Sequence, residues 1–389
     1  MKMVNKSFMK CNILVIVFLL LFSISTSSVS ANNFSVSAQG AILMEQESGR
    51  VLYEKNAHSQ LRIASITKIM TAILAIESGM MDEKVKVSNN SFGTEGSSLY
   101  LRLGEKIKLE DLVYGLMLRS GNDAAVAIAE HVGGSLEGFV YLMNQKAKEI
   151  GMEKSVFNNP HGLDDHEEHY STAYDMALLT RYAMNNETYR EISSTKSYRA
   201  PQEGENWDRI WQNKNRLLTQ LYKYSTGGKT GYTKRAKRTL VSTATKKDVN
   251  LIAVTLNAPS DWQDHMNMFN WGFESFEVLP VVKEGVIKNL QDEFYKNNVS
   301  ANYTFEYPLT AEEREQVNKK ITLYNPPKGN EWKLNGPPNP VGKITIELNG
   351  TNIGEVPLSF TGDLEKEKKS LWTKFIELFF IVLGVNKDG

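Results

Sequence analysis

This sequence is poor in cysteine, in net charge and in long apolar runs. Among its 389 residues the single cysteine is Cys11, and 45 basic residues are balanced by 45 acidic ones. One thiol cannot build a disulfide scaffold or a Cys-based zinc site, and a chain without basic excess is not expected to bind nucleic acid. The apolar run at residues 13–22 is shorter than the roughly 20 residues that span a bilayer.

Residues 1–31 have the composition of a secretory signal peptide. Three lysines precede the apolar run, and the segment ends in the small residues Val29-Ser30-Ala31. This order of charged, apolar and small residues is typical of exported proteins. We expect cleavage after Ala31, which removes Cys11 and leaves a mature chain without a thiol nucleophile.

Strand patterns flank a mostly helical middle. Residues 40–44 and 50–53 predict one β-hairpin, and residues 238–244 and 251–256 predict a second. Between them, apolar residues at helical spacing predict helices that include residues 109–118, 124–131 and 139–150. The sequence therefore predicts a mixed α/β domain over residues 32–278, with an antiparallel sheet built from both sequence ends and a helical insertion.

The composition changes after residue 278. Short β-like runs at residues 343–348 and 352–360 are punctuated by prolines, which predicts a small all-β domain over residues 279–362. Over residues 363–389, apolar side chains accompany a polar stripe that contains Ser370, Thr373 and Glu377. That pattern favours an amphipathic helix lying in a membrane interface, and a core-packing helix is the alternative.

The string Ser65-Ile66-Thr67-Lys68 places a serine and a lysine three residues apart at the start of an apolar helical segment. On a helix this spacing puts both side chains on one face. Burial and the positive end of the helix dipole both favour a neutral amine, which can take the proton of Ser65. The structural alternative is an ordinary helix-start serine beside a snorkelling lysine.

The string Ser120-Gly121-Asn122 lies on the connection between two predicted helices. In a catalytic interpretation, Ser120 relays a proton to a leaving amine, and Asn122 holds the substrate backbone and Lys68. Considered alone, the string is better explained as a turn with an asparagine cap.

The string Lys229-Thr230-Gly231 precedes the second hairpin and predicts the start of an edge strand beside Ser65. Lys229 would supply a fixed positive charge, and Thr230 a hydroxyl, to a terminal carboxylate. Gly231 allows another chain to approach the backbone closely, and the N–H groups of Tyr232 and Ser65 suit an oxyanion hole. A Gly-rich loop with a solvated lysine is the alternative.

Together the three strings match the signature Ser-x-x-Lys, Ser-x-Asn and Lys-Thr-Gly of penicillin-binding proteins and serine β-lactamases. Over approximately residues 35–275 the chain resembles the low-molecular-mass D-alanyl-D-alanine carboxypeptidases of peptidase family S11. The resemblance is carried by residues 62–72, 116–125, 159–164 and 227–233. Residues 164–166 and 224–238 are especially similar to the sporulation-type enzyme of spore-forming bacilli.

The resemblance implies a penicillin-binding-protein-like fold and an exported enzyme at the outer face of the cell membrane. It implies that the penultimate D-Ala of a peptidoglycan stem peptide acylates Ser65, that the terminal D-Ala leaves and that the acyl-enzyme is hydrolysed. β-Lactams are expected to trap the same serine, and no cofactor is implied. Some relatives carry an arginine at residues 259–262, where this chain has none, so carboxylate binding is expected to depend on Lys229 and Thr230.

Histidines and carboxylates at residues 161–169 raise a metal-site alternative. His166 and His169 are one residue closer than the two histidines of His-Glu-x-x-His, so a helix would not present both imidazoles to one ion. We therefore expect no metal and interpret the segment as a polar loop. The cluster comprises His161, Asp164, Asp165, His166, Glu167, Glu168 and His169.

Two further functions remain as alternatives. Class A β-lactamases carry Ser-Asp-Asn and an added glutamate that activates the deacylating water, whereas this chain has Gly121 and no convincing Glu-x-x-x-Asn element. A catalytically silent peptidoglycan-binding protein would keep the groove, but Ser65 and Lys68 are intact. The preferred stem peptide, and any transpeptidase or endopeptidase activity, are left open by the sequence.

Overall fold

A computed structural model describes residues 35–202, 204–326, 332 and 336–362. The predicted signal peptide and the predicted C-terminal helix lie outside these residues. The helices are α1 Lys68–Glu77, α2 Leu109–Arg119, α3 Asn122–Gly133, α4 Leu136–Glu149, α5 Ala173–Met184, α6 Glu187–Ser194 and α7 Asp261–Ser275. The strands are β1 Gly40–Glu45, β2 Val51–Lys55, β3 Lys84–Lys86, β4 Lys106–Lys108, β5 Ser197–Ala200, β6 Arg209–Gln212, β7 Ser225–Thr233, β8 Lys237–Lys246, β9 Val249–Leu256, β10 Glu277–Val282, β11 Gly285–Val286, β12 Val299–Ala301, β13 Phe305–Leu309, β14 Val317–Leu323, β15 Gly342–Leu348 and β16 Thr351–Phe360.

Five strands between Gly40 and Leu256 form an antiparallel sheet in the order β2-β1-β9-β8-β7. Both predicted hairpins are present in it, as β1–β2 and β8–β9. The Glu45 carboxylate stabilises the first turn by accepting from the N–H groups of Glu47 and Ser48. Because β1 pairs with β9, the sheet is built from both sequence ends, as predicted.

Helices α1 to α6 occupy the predicted helical region. The first eight residues of α1 are all buried, as expected of a helix that is apolar nearly all round. Side chains of α1, α2 and α3 share one hydrophobic cluster with strand residues such as Ile42 and Val254. A 3₁₀ turn, Ala64–Thr67, precedes α1 and carries Ser65, so the serine stands just before the α-helix that holds Lys68.

A second antiparallel sheet follows, in the order β11-β12-β16-β15-β14. It has a hydrophobic cluster of its own, which includes Val299, Ile346 and Leu358. The predicted boundary at residue 278 stays a prediction, and the described residues from Val36 onward lie in one compact unit. Within the described ranges, every helix is too short or too polar to cross a membrane.

Candidate active site

Ser65 lies in a 3₁₀ turn that is fixed from two sides. Thr239 on β8 donates a hydrogen bond to the carbonyl of Ile63 at 2.9 Å. On the other side Gly162, with φ +85°, packs so closely that a Cβ there would lie 1.9 Å from the carbonyl oxygen of Ala64. Ala64 itself has φ +50°, a conformation that residues with a Cβ rarely adopt. These contacts hold the serine turn in one position beside the sheet.

Lys68 is fully buried one turn after Ser65. Its Nζ donates to Ser65 Oγ at 3.0 Å, to Asn122 Oδ1 at 2.7 Å and to the carbonyl of His161 at 2.7 Å. The structure therefore places an amine within hydrogen-bond reach of the serine hydroxyl, as a general base requires.

Two other lysines lower the pKa of Lys68, and sequence reasoning identified only one of them. Burial lowers the pKa of Lys68 well below its ordinary value, and the charges of Lys229 and Lys214 lower it further. Lys214 donates from Nζ to Ser97 Oγ at 3.2 Å. Because Lys214 stands on an irregular segment outside any motif, nothing in the local sequence signals its proximity.

The string Ser120-Gly121-Asn122 forms the junction between α2 and α3. Ser120 adopts φ 65° at the end of α2, and its Oγ accepts from Lys229 Nζ at 3.0 Å. Asn122 begins α3 without capping it, and its Oδ1 accepts from Lys68. The string is therefore a turn, as the structural alternative predicted, but the asparagine cap of that alternative was wrong. The side chains of Ser120 and Asn122 each contact one buried lysine.

The string Lys229-Thr230-Gly231 lies in the middle of β7, and the predicted strand start at Lys229 was wrong. Pairing with β8 already begins at Ser225, and β7 is the edge strand of the sheet. A Cβ at Gly231 would lie 2.3 Å from Thr239 Oγ1 and 3.0 Å from the backbone nitrogen of Ser65. Only a glycine allows this strand to approach the serine turn so closely.

The predicted positive charge of Lys229 stays a prediction, and burial of the amine bears on it. Lys229 is 2% exposed, and its Nζ donates to Ser120 Oγ at 3.0 Å and to the carbonyl of Thr230 at 2.8 Å. Burial, with a smaller contribution from Lys214, lowers the pKa of Lys229 to about 7. The charge therefore depends on pH and on any anion that binds nearby. Tyr232, the residue after this string, is 64% exposed.

The histidines of the suspected metal cluster have structural partners. His169 Nε2 is 2.9 Å from Thr67 Oγ1, and its Nδ1 accepts from the Asn158 N–H at 3.1 Å. His161 Nδ1 accepts from the Leu163 N–H at 3.2 Å. Burial lowers the pKa of both imidazoles to about 3, so both are neutral. Among the residues that the structure describes, no three His, Cys, Asp or Glu side chains are grouped to hold a metal ion.

The carboxylates of the same loop pair with arginines. Glu167 contacts Arg62 at 2.8 Å and Arg235 at 2.7 Å, and mainly Arg235 lowers the pKa of this carboxyl to about 2. Arg62 precedes the serine turn and Arg235 follows β7. The loop is therefore polar, as predicted, and its ion pairs connect it to both sides of the cleft.

Known proteins are similar to this chain in sequence and in fold. A family model for S11 peptidases, described as D-alanyl-D-alanine carboxypeptidase, matches residues 25–260. The chain is 32% identical to the D-alanyl-D-alanine carboxypeptidase DacF of Bacillus subtilis (strain 168), over 87% of this chain and 90% of that protein. It is 33% identical to DacC of Escherichia coli (strain K12), over 85% of each.

A solved structure extends the similarity to the fold. Penicillin binding protein 5 from Haemophilus influenzae has a TM-score of 0.69 and 26% identity, over 85% of this chain and 98% of that chain. These matches confirm the mixed α/β fold and the resemblance inferred from the sequence strings. The chain therefore belongs to the S11 family of serine-type D-alanyl-D-alanine carboxypeptidases.

Proposed function

We propose that this protein removes the terminal D-Ala from peptidoglycan stem peptides through an acyl-enzyme on Ser65. The observation that carries the proposal is the fully buried Lys68 amine 3.0 Å from Ser65 Oγ. The lowered pKa of Lys68 favours the neutral amine. In that form Nζ accepts from the Ser65 hydroxyl and takes its proton as Ser65 attacks the carbonyl of the penultimate D-Ala.

The substrate binds along the free edge of β7. Its terminal carboxylate meets Lys229 and the Thr230 hydroxyl, in the positive potential that Lys214 strengthens. A bound carboxylate raises the pKa of Lys229 and so keeps the amine charged. The N–H groups of Ser65 and Tyr232 then stabilise the oxyanion of the tetrahedral intermediate.

Ser120 relays a proton to the leaving group. Its Oγ accepts from Lys229 Nζ at 3.0 Å, and its hydroxyl passes the proton that Lys68 took from Ser65 to the amine of the leaving D-Ala. Asn122 holds the substrate backbone and Lys68. Water then hydrolyses the ester on Ser65, which releases the shortened stem peptide and restores the serine.

The decisive measurement is D-Ala release from diacetyl-Lys-D-Ala-D-Ala by the mature protein and its Ser65→Ala variant. We expect Ser65→Ala to lose at least about 10³-fold in rate and to bind no penicillin covalently. Ser78→Ala, at the other end of α1, is the matched control and should retain activity. Equal release by the wild type and Ser65→Ala would exclude the mechanism.

Penicillin distinguishes the remaining alternatives. Stable labelling of Ser65 by a fluorescent penicillin supports a carboxypeptidase that β-lactams inhibit. Rapid hydrolysis of nitrocefin would instead indicate a serine β-lactamase. A protein that neither labels nor releases D-Ala would be a silent peptidoglycan-binding protein.

We also propose that the enzyme acts at the outer face of the cell membrane, after export by its signal peptide. In spore-forming cells its substrate would include cortex peptidoglycan, where removal of D-Ala limits cross-linking. The support is the similarity of residues 164–166 and 224–238 to the sporulation-type enzyme. Spores that lack the protein should then show more cross-linked cortex in muropeptide analysis, and an unchanged cortex would exclude this role.

A further inference from the structure

Asp123 is a buried carboxylate beside the site that no step of the proposed reaction uses. It is 1% exposed. Its Oδ2 accepts from Ser98 Oγ at 2.6 Å and from the N–H groups of Leu99 at 2.9 Å and Leu101 at 3.2 Å. Its Oδ1 accepts from the Ala124 N–H at 2.9 Å. These donors compensate the burial of the charge, and three of them belong to one short segment.

The residues just before those that Asp123 holds contact Asn122. The Asn122 side-chain Nδ2 donates to the carbonyl of Glu95 at 2.6 Å, and its backbone N–H donates to the carbonyl of Ser97 at 2.7 Å. With Nδ2 engaged in this way, Oδ1 faces Lys68 and accepts from Nζ at 2.7 Å. The orientation of the amide therefore depends on where residues 95–97 lie.

We propose that Asp123 is a positioning residue for D-Ala release. Its carboxylate fixes residues 95–101, and through them the Asn122 amide, so that Lys68 stays against Ser65. The inference rests on the proposed function of Ser65 and Lys68. The hydrogen bonds of Asp123 reach Asn122 only through this segment, because its oxygens accept from the segment and from its own helix.

Asp123 also places a negative charge in a site rich in lysine. Lys229 on β7, and Lys214 before it, lower the pKa of Lys68, whereas Asp123 raises it. His161, whose carbonyl accepts from Lys68, is neutral because burial lowers its pKa to about 3. Removal of the Asp123 charge should therefore shift the protonation of Lys68 to lower pH.

The test compares the wild type with Asp123→Asn in the mature chain. The amide keeps the size of the carboxylate but turns an NH₂ group toward N–H and O–H donors. We expect acylation by fluorescent penicillin to be at least about tenfold slower, with the acid limb of its pH profile moved to lower pH. In an Asn122→Ala background the same change should cost less than about threefold, because the group through which Asp123 acts is absent.

Asp175 provides a matched control. It is 3% exposed in the first turn of α5, and its Oδ2 accepts from the Lys154 N–H at 2.9 Å and from Ser155 Oγ at 2.7 Å. It therefore also holds a loop, but one outside the site. Asp175→Asn should lower the unfolding temperature about as much as Asp123→Asn, while acylation stays within about twofold of the wild type.

Two results would overturn the proposal. The first is an acylation rate of Asp123→Asn within about twofold of the wild type. The second is an Asp123→Asn effect on acylation that is equally large in the Asn122→Ala background, with the acid limb of the pH profile of acylation unmoved. If Asp123→Asn does not fold, Ser98→Ala decides: acylation slowed about two- to fivefold supports the proposal, and an unchanged rate overturns it. A wild type that neither releases D-Ala nor binds penicillin would refute the proposed function itself.

Discussion

Lys68 and Lys229 are both buried, and each has a serine hydroxyl as a partner. Lys68 Nζ is 3.0 Å from Ser65 Oγ, and Lys229 Nζ is 3.0 Å from Ser120 Oγ. The pKa of Lys68 lies well below its ordinary value, which suits a base. That of Lys229 is about 7, so a bound carboxylate readily keeps it charged. At this scale, burial and the neighbouring charges together lower the pKa of each amine.

The pKa of Lys229 predicts the alkaline side of the pH profile. As pH rises through about 7, free enzyme loses the Lys229 proton, so carboxylate binding should weaken and KM for a D-Ala-D-Ala peptide should rise. In Lys229→Arg the guanidinium stays charged, so KM should no longer rise with pH, even if kcat is lower.

The measurement is KM and kcat for D-Ala release over roughly pH 6 to 9. Lys223→Arg, an exposed lysine just before β7, is the control and should keep the wild-type profile. A wild-type KM that does not change over this interval would contradict the assignment of Lys229.

At the scale of secondary structure, the cleft is the gap between the edge strand β7 and the 3₁₀ turn that carries Ser65. Thr239 on β8 holds the serine turn, and Gly231 on β7 lies against both. The width of the cleft is therefore set by the absence of a side chain at one position of the edge strand.

Gly231→Ala should separate these elements. Its Cβ would lie 2.3 Å from Thr239 Oγ1 and 3.0 Å from the Ser65 nitrogen, so β7 or the turn has to move. We expect penicillin acylation about 100-fold slower with a smaller effect on unfolding temperature. Gly40→Ala on β1, where the nearest atom is Leu61 Cδ1 at 3.3 Å, is the control. Acylation of Gly231→Ala within about threefold of the wild type would disprove this role.

At the scale of the whole molecule, Arg50 connects the first sheet to the segment that leads into the second. Its guanidinium contacts Glu313 at 2.5 Å and the carbonyl of Pro308. It also lies 5.2 Å from the ring centroids of both Phe276 and Tyr307. One partly buried cation thus contacts residues from two distant parts of the sequence, around residue 276 and over residues 307–313.

Arg50→Ala should weaken this connection without altering the chemistry. We expect a loss of about 2 kcal/mol in the free energy of unfolding, measured in urea, because a partly buried Glu313 loses its partner. Arg314→Ala removes an exposed pair with Glu277 and should cost no more than about 0.5 kcal/mol. Both variants should release D-Ala at the wild-type rate, and equal stability losses would show that Arg50 is no more than a surface charge.

Deletion of residues 364–389 tests the predicted membrane anchor. The shortened mature protein should no longer sediment with membranes, while its D-Ala release in solution stays unchanged. Sedimentation that persists would exclude the anchor. A lowered unfolding temperature would point instead to the core-packing alternative.

The sequence by itself determined the two hairpins of the first sheet, the helices α1 to α4 and the chemical class of the site, whereas strands β3 to β6 were not predicted. Both hairpins and the helices α2, α3 and α4 follow from local apolar periodicity, which depends on neighbours a few residues away. The burial of Lys68 was also predictable, because the residues that surround it in sequence are nearly all apolar. The three strings supplied the family resemblance, since their residue types and order are specific to this chemistry.

Only the tertiary structure decided the pKa values of the lysines in the site and the contacts that hold the site residues in position. The strand around Lys229 begins earlier than predicted because its limits depend on pairing with β8. The charge of Lys229 is conditional because folding buries it and brings Lys214 near. The contacts of Asp123 with residues 98–101 likewise join segments distant in sequence. Such long-range contacts leave no periodicity or motif in the chain, and their effects on pKa and orientation arise only once the residues are packed together.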